Sequence, residues 1–263
     1  MIWARQLRQP RAGRGCHHYE PHIFMTNDSK RPFALNHISV DCVILGFGGD
    51  RLNVLLLKRN DFKLHDMKLP GSLIYADENL DQAASRIMED YTGMAGVEME
   101  QFQAFGSLTR TSNPDDIQWL ERSQNETVQR IVTVAYIAIL RINKNLTANN
   151  KKDSSLFWAP TDNLPQLAFD HNQIVTAAVE YFAKVAYFNN EYIFKLLPKK
   201  FTILQFRKLY EIVYRTKVDP GNFHKKVSQM PYVVPLEEKE TGQRHRAARL
   251  YRYDKKAFKK NMI

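Results

Sequence analysis

Two runs of branched aliphatic residues, HISVDCVILGF at 37–47 and LNVLLLKR at 52–59, are separated only by a short segment built on Gly48, Gly49 and Asp50. Val, Ile and Leu at this density fit a pleated, buried surface, and a Gly-Gly-Asp junction is hairpin chemistry. The pair commits this part of the chain to the core of a sheet. A helix over Leu80–Tyr91 follows, because Leu80, Ala83, Ala84 and Ile87 fall at the spacing of one buried face. Further strands are expected at 97–105, 128–142 and 155–159, and a helix at 171–187 with Asp170 as its N-cap. Between the strands at 97–105 and 128–142 lies a polar insertion, 110–127, with Asn113-Pro114 and a lone Trp119. Strands with a helix in the middle and another at the end imply an α+β unit, a mixed sheet sandwiched between helices.

Charge divides the chain. Residues 195–263 hold 18 Lys and Arg against 6 Asp and Glu, a local charge of +12 in a protein whose whole charge is +10. Residues 25–194 carry 16 basic and 21 acidic residues, or −5. An acidic body with a basic head suggests that one part senses and the other grips a polyanion. The change of sign near Asn189-Asn190 sets the expected division: 1–35 a basic segment read as disordered, 36–190 a sensing domain, 191–263 a DNA-binding domain. With 263 residues, each domain could bury a core of its own. Met25, directly before a polar stretch and then a strand, offers an alternative start of translation, and a basic arm that assists binding is the other reading of the prefix.

Cys16 and Cys42 are too few for a zinc cluster or a disulfide framework, which fits a reducing cytoplasm. The longest apolar runs, 40–47 and 131–140, are strand-length and fall short of a bilayer span.

In the basic head, Thr202 with Gln205 forms a capping box, and Phe206, Leu209, Tyr210 and Val213 make a buried stripe, so a helix spans 203–215. Asp219 and Pro220 supply an N-cap and an N1 proline for a second helix reaching Gln229. Phe223, Val227 and Met230 share one face of it. A hairpin follows, with a polar turn about Gly242 and an alternating strand at 247–253. Two helices and a hairpin make a winged helix-turn-helix, whose second helix enters the major groove of double-stranded DNA. Asn222, His224 and Lys225 are the side chains expected at base edges, with Thr202 and Lys226 as further contacts and Arg244, His245 and Arg246 as the wing. Each lysine alone could merely solvate a surface, and winged helices also dock proteins.

The stretch LPGSLIYADENLDQAASRIMEDYTGM, 69–94, resembles the Nudix box, G-x5-E-x7-R-E-U-x-E-E-x-G-U with U aliphatic. Aligned on Arg86 and Gly93, Ser72 takes the first glycine, Glu78 the first glutamate, and the R-E-U-x-E-E core reads Arg86, Ile87, Met88, Glu89, Asp90, Tyr91. Nudix hydrolases need those carboxylates to hold Mg²⁺ against a diphosphate and activate water. Ile87 offers no oxygen and Tyr91 a neutral phenol, so no catalytic residue, metal ligand or cofactor is assigned. The rival reading keeps a working hydrolase of nucleoside diphosphate derivatives on Glu78, Glu89 and Asp90.

Joined to LAFDHNQIV at 167–175 and LLPKKFTILQFRKLYEIVY at 196–214, the box resembles the Nudix-related transcriptional regulators, among them ADP-ribose-responsive NrtR repressors and arabinose-responsive AraR regulators. The resemblance covers residues 37–257. It implies a Nudix-like α/β/α sandwich followed by a winged helix-turn-helix, and a cytoplasmic homodimer that binds a palindromic operator and answers to a small effector, a pentose or an ADP-ribose-like nucleotide. Lys58, Glu78, Arg86, Glu89, Asp90, Tyr91 and Arg110 are the expected effector contacts. Lys58 and Arg59 alternate to opposite faces, so at most one reaches the effector. The insertion at 110–127 departs from the family and reshapes either the pocket or the dimer contact. Asp170 and His171 are adjacent and read as an N-cap and a first-turn residue rather than a catalytic pair.

Overall fold

The computed structural model describes residues 37–48, 51–58, 67–124, 127–128, 130–142, 156–240 and 247–261. The expected disorder of the N-terminal segment and the wing residues Arg244, His245 and Arg246 lie outside the described residues.

Strands β1 (His37–Gly48) and β2 (Arg51–Lys58) pair antiparallel as far as Gly48 opposite Arg51. Two short strands follow, β3 (Met67–Lys68) and β4 (Gly71–Leu73), then helix α1 (Leu80–Thr92). Asn79 caps α1 in a capping box with Gln82, and the box glycine Gly93 ends it with φ 71, the left-handed conformation that glycine adopts freely. Strand β5 (Glu100–Phe105), helix α2 (Pro114–Gln124), β6 (Ile131–Arg141), β7 (Leu156–Pro160) and α3 (His171–Phe188) complete the first region. Among the described residues the sheet runs β3-β2-β1-β6-β5, with β4 on β1 and β7 on β2. The β1–β6 pair is parallel and the others antiparallel, the mixed sheet the sequence predicts.

Alternation along β1 gives the sheet two buried faces. Val40, Cys42 and Ile44 pack with Ala83, Ala84, Ile87 and Met88 of α1. Val43, Leu45 and Phe47 pack with Ile174, Val175, Ala178 and Phe182 of α3. Ser39 and Asp41 share the α3 face by the same alternation, which brings two polar side chains, 7% and 4% exposed, to the end of an apolar strand.

The head holds α4 (Glu191–Leu196), β8 (Phe201–Thr202), α5 (Ile203–Val213), α6 (Pro220–Ser228), β9 (Val233–Lys239), β10 (Arg249–Tyr253) and α7 (Lys255–Asn261). Its sheet is ordered β8-β10-β9. Phe201, Phe206, Leu209, Phe223 and Val227 belong to the same buried cluster as Leu45 and Phe182, so the sensing region and head share one core rather than each burying its own. Arg141 of β6 reinforces the junction by donating to the carbonyls of Leu197 and Phe194.

Three differences from the sequence reading have local causes. The insertion holds helix α2, started by Pro114 with Asp115 and Asp116 in its first turn, where proline and acidic residues favour a helix. Asp170 stands at the N-cap of α3 but makes no side-chain capping bond, because its carboxylate is engaged by Arg110. Helix α7 closes the head, with Phe258 packed edge-on to Tyr232 and Tyr253.

Candidate effector pocket and nucleic-acid interface

Strand β1, the β3–β4 turn, the insertion and the start of α3 converge on a cavity of about 330 Å³. Ser39, Asp41, Lys68, Arg110, Trp119 and His171 supply its chemistry, and Tyr75, Tyr91 and Phe169 add aromatic walls. Gly71 is required at its floor, since a Cβ there would meet Asp41 Oδ1 at 2.1 Å.

The polar groups interlock. Arg110 Nη2 donates to Asp41 Oδ2 at 2.6 Å, and Nη1 pairs with Asp170. His171 Nδ1 accepts the Leu69 N–H at 3.0 Å, which leaves its proton on Nε2, 3.6 Å from Asp41 Oδ1. Lys68 Nζ donates to the Gly71 carbonyl at 3.0 Å and stands 5.3 Å from the Trp119 ring centre and 5.9 Å from that of Tyr91. Burial opposes ionisation of Asp41, but His171, Arg110 and Lys68 together outweigh it and hold the carboxyl below its ordinary value. Asp170 moves the other way, since burial and the Asp41 charge prevail over Arg110. Two cations thus face two carboxylates. Within this balanced set, the buried Ser39 Oγ and Arg110 Nε have no hydrogen-bond partner among the described residues. Buried polar atoms ordinarily find one, so these two mark the lining as polar beyond what the protein itself satisfies.

The insertion is fastened to the α3 entrance a second time. Asp116, 2% exposed, accepts the Phe169 N–H at 2.9 Å. Phe169 has φ 55, a left-handed conformation that costs a bulky residue about 1–2 kcal/mol. Its ring centre lies 5.4 Å from that of His171 and 5.8 Å from the Arg110 guanidinium carbon.

The degenerate box supports this cavity from outside. Glu78 accepts from Arg86 Nε at 2.8 Å, from Nη2 at 2.5 Å and from the Tyr75 N–H at 2.8 Å. Arg86 also donates to the Leu73 carbonyl and stacks 4.1 Å over the Tyr75 ring. Of the expected effector contacts, Tyr91 and Arg110 line the cavity. Glu78, Arg86, Glu89 and Asp90 do not line it: the first two are spent on each other, Asp90 lies 3.9 Å from Arg86, and Glu89 is exposed. Lys58 is exposed at the end of β2 and does not line it either. Ser39, Asp41, Lys68, Trp119, Phe169 and His171 were not among the expected contacts. Their signal in the sequence is the break in β1 alternation at Ser39 and Asp41 and the FDH triplet at 169–171.

A Nudix magnesium site does not fit these side chains. Ile87 is fully buried in the α1 core, both oxygens of Glu78 are taken by Arg86, and Tyr91 brings a phenol. Among the described residues, no group of three or more His, Cys, Asp or Glu is placed to hold a metal ion.

In the head, Thr202 caps α5 as expected, donating from its backbone to Gln205 Oε1 and accepting the Gln205 N–H. At 4% exposure it presents nothing to a nucleic acid, which removes it from the expected contacts. Asp219 caps α6 through the Asn222 N–H at 2.9 Å, with Pro220 at N1. Phe223 and Val227 are buried, while Asn222, His224, Lys225 and Lys226 are exposed along the outer side. Lys226 Nζ is held by the Tyr210 hydroxyl at 2.7 Å and lies 4.5 Å from that ring centre. The apolar back of α6 rests on α5, leaving its front as a hydrogen-bonding and cationic surface.

No helix among the described residues is long and apolar enough to cross a membrane. No curated protein matches the chain. The crystal structure of Shewanella oneidensis NrtR complexed with a 27-mer DNA matches with a TM-score of 0.59 at 24% identity, covering 84% of this chain and 94% of that one. A MutT/nudix family protein from Enterococcus faecalis matches with a TM-score of 0.57 at 20% identity, covering 87% and 90%. The NUDIX domain family matches residues 35–178, and the NrtR DNA-binding winged helix domain matches residues 193–253. The chain belongs to the NUDIX domain family, and the sandwich is followed by a segment that matches the NrtR DNA-binding winged helix domain.

Proposed function

We propose that the chain is a non-catalytic sensor and switch, in which a small effector occupies the cavity at Asp41, Arg110 and His171 and alters the grip of α6 on a DNA operator. The single observation that carries this reading is a walled cavity of about 330 Å³ whose lining residues Ser39 and Arg110 each hold a buried polar atom, Oγ and Nε, without a partner among the described residues. The balanced lining favours a neutral polyol such as a pentose. A nucleoside diphosphate would bring about two negative charges against cations already matched by Asp41 and Asp170. Trp119 beside Lys68 supplies the flat apolar surface that a sugar ring needs.

On the DNA side, Shewanella NrtR was crystallised on a 27-mer DNA, and the reading for this chain is a cytoplasmic homodimer placing two α6 helices on a roughly palindromic site. Asn222, His224 and Lys225 read base edges, Lys226 contacts the backbone, and the wing is assigned to Arg244, His245 and Arg246. The test is a thermal-shift screen of L-arabinose, D-xylose, D-ribose and ADP-ribose, since a ligand at a hundredfold its Kd stabilises the folded chain by about 2.7 kcal/mol. Stabilisation by a pentose that Ser39→Ala or Trp119→Ala removes supports the reading. Stabilisation by ADP-ribose alone moves the effector class to nucleotides.

A further inference from the structure

The insertion is tied to the start of α3 at two points, by Arg110 on Asp170 and by Asp116 on the Phe169 N–H. The second tie holds a phenylalanine whose φ of 55 is unfavourable for any residue with a side chain. Its ring lines the cavity. The turn at 167–170 is therefore held in this conformation by a carboxylate of the insertion, with Phe169 between it and the cavity.

From that turn α3 runs for 18 residues, His171–Phe188, with neither glycine nor proline to bend it, a rod of about 27 Å. Its far end meets the head. Glu180 accepts from Arg215 at 3.3 Å, and the Tyr187 and Tyr214 rings lie 6.0 Å apart, centre to centre. Tyr214 packs on Tyr210 at 4.2 Å, and the Tyr210 hydroxyl accepts from Lys226 of α6. Arg215, where α3 meets the head, is the other described non-glycine residue with positive φ, at 48.

We propose that the Asp116–Phe169 contact is a latch and α3 a rod, so that a guest pressing on Phe169 and Arg110 moves the head through Tyr187, Tyr214, Tyr210 and Lys226. The proposal rests on the cavity being the effector pocket, but its test needs no effector. A negative result would leave that reading standing.

The test is hydrogen–deuterium exchange on the full chain without added ligand. In Asp116→Ala, amides at 167–176 should exchange about tenfold faster than in the wild type, and those at 209–214 and 222–227 about threefold faster, with 42–46 unchanged. Asp116→Asn keeps an acceptor oxygen and should match the wild type. Acceleration confined to 167–176 would overturn the rod, and no acceleration, or an asparagine variant as fast as alanine, would overturn the latch. Asp116→Ser replaces alanine should the latter not fold. Failure of both to fold would contradict a contact whose loss opens the chain only locally.

Discussion

Arg110 donates to Asp41 on β1 at 2.6 Å while pairing with Asp170 at the entrance of α3, so one guanidinium joins the insertion, the central strand and the rod that leads to the head. Its side chain is 3% exposed. Removing one member of a buried ion pair strands the others in a poorly solvated place, at about 3–5 kcal/mol. Arg110→Ala should therefore lower the unfolding free energy from urea titration at pH 7 by that amount, and Arg110→Lys, which lacks the forked donors, should recover only part of it. A loss below about 1 kcal/mol for the alanine variant would show that the network is not a structural tie.

Acid should loosen the box. Hydrogen bonds from Arg86, then the Tyr75 N–H, hold Glu78 below the ordinary glutamate range despite burial. Its contribution is thus complete above the unfolded pKa, about 4.3, and fades as pH falls through the lower folded value. Asp41 shifts in the same direction, while Asp170 is raised and opposes it, losing its contribution as pH rises. The urea midpoint of Glu78→Gln should lie below the wild type at pH 7, with the gap closing as pH drops below about 4. A gap independent of pH would remove the charge from the explanation.

Restoring a box residue should harm the protein. Ile87 is fully buried between α1 and β1, so Ile87→Glu places a carboxyl in the core and should destabilise by about 3 kcal/mol or more. With Glu78 committed to Arg86, neither this variant nor the wild type should release AMP or phosphate from ADP-ribose with Mg²⁺. Release that Glu89→Gln abolishes would establish the rival hydrolase.

The paired core strands, the α1 stripe and both capped helices of the head were legible because periodicity and caps are local. The cavity was not. Asp41, Lys68, Arg110 and His171 lie 27 to 61 residues apart in steps along the chain and meet through the pairing of β1 with β4 and β6, of β2 with β3, and the return of α3. The box drew attention to Glu78 and Asp90 by alignment, whereas a short Arg86 contact turns Glu78 away from any guest. Helix α2 was hidden by its polarity, although Asn113-Pro114 followed by two aspartates is a helix start. Thr202 illustrates the converse: the same capping role that made it readable buries it away from DNA.

The two classes of head residue should separate in one set of measurements. Thr202→Ala removes an N-cap and should cost about 1 kcal/mol of stability, leaving the salt dependence of DNA binding unchanged. His224→Ala and Lys225→Ala lie on the exposed side of α6 and should leave stability within about 0.5 kcal/mol while weakening operator binding by about 1–3 kcal/mol. A Thr202→Ala variant that binds poorly yet melts normally would reverse the assignment.

The central claim, that the cavity instructs the head, is tested most directly by binding the purified full chain to genomic DNA fragments with and without L-arabinose, D-xylose, D-ribose and ADP-ribose. The account predicts enrichment of a short, roughly palindromic sequence, falling steeply with salt, whose affinity changes by about fivefold or more with at least one of these compounds. No sequence preference under any of these conditions would contradict it.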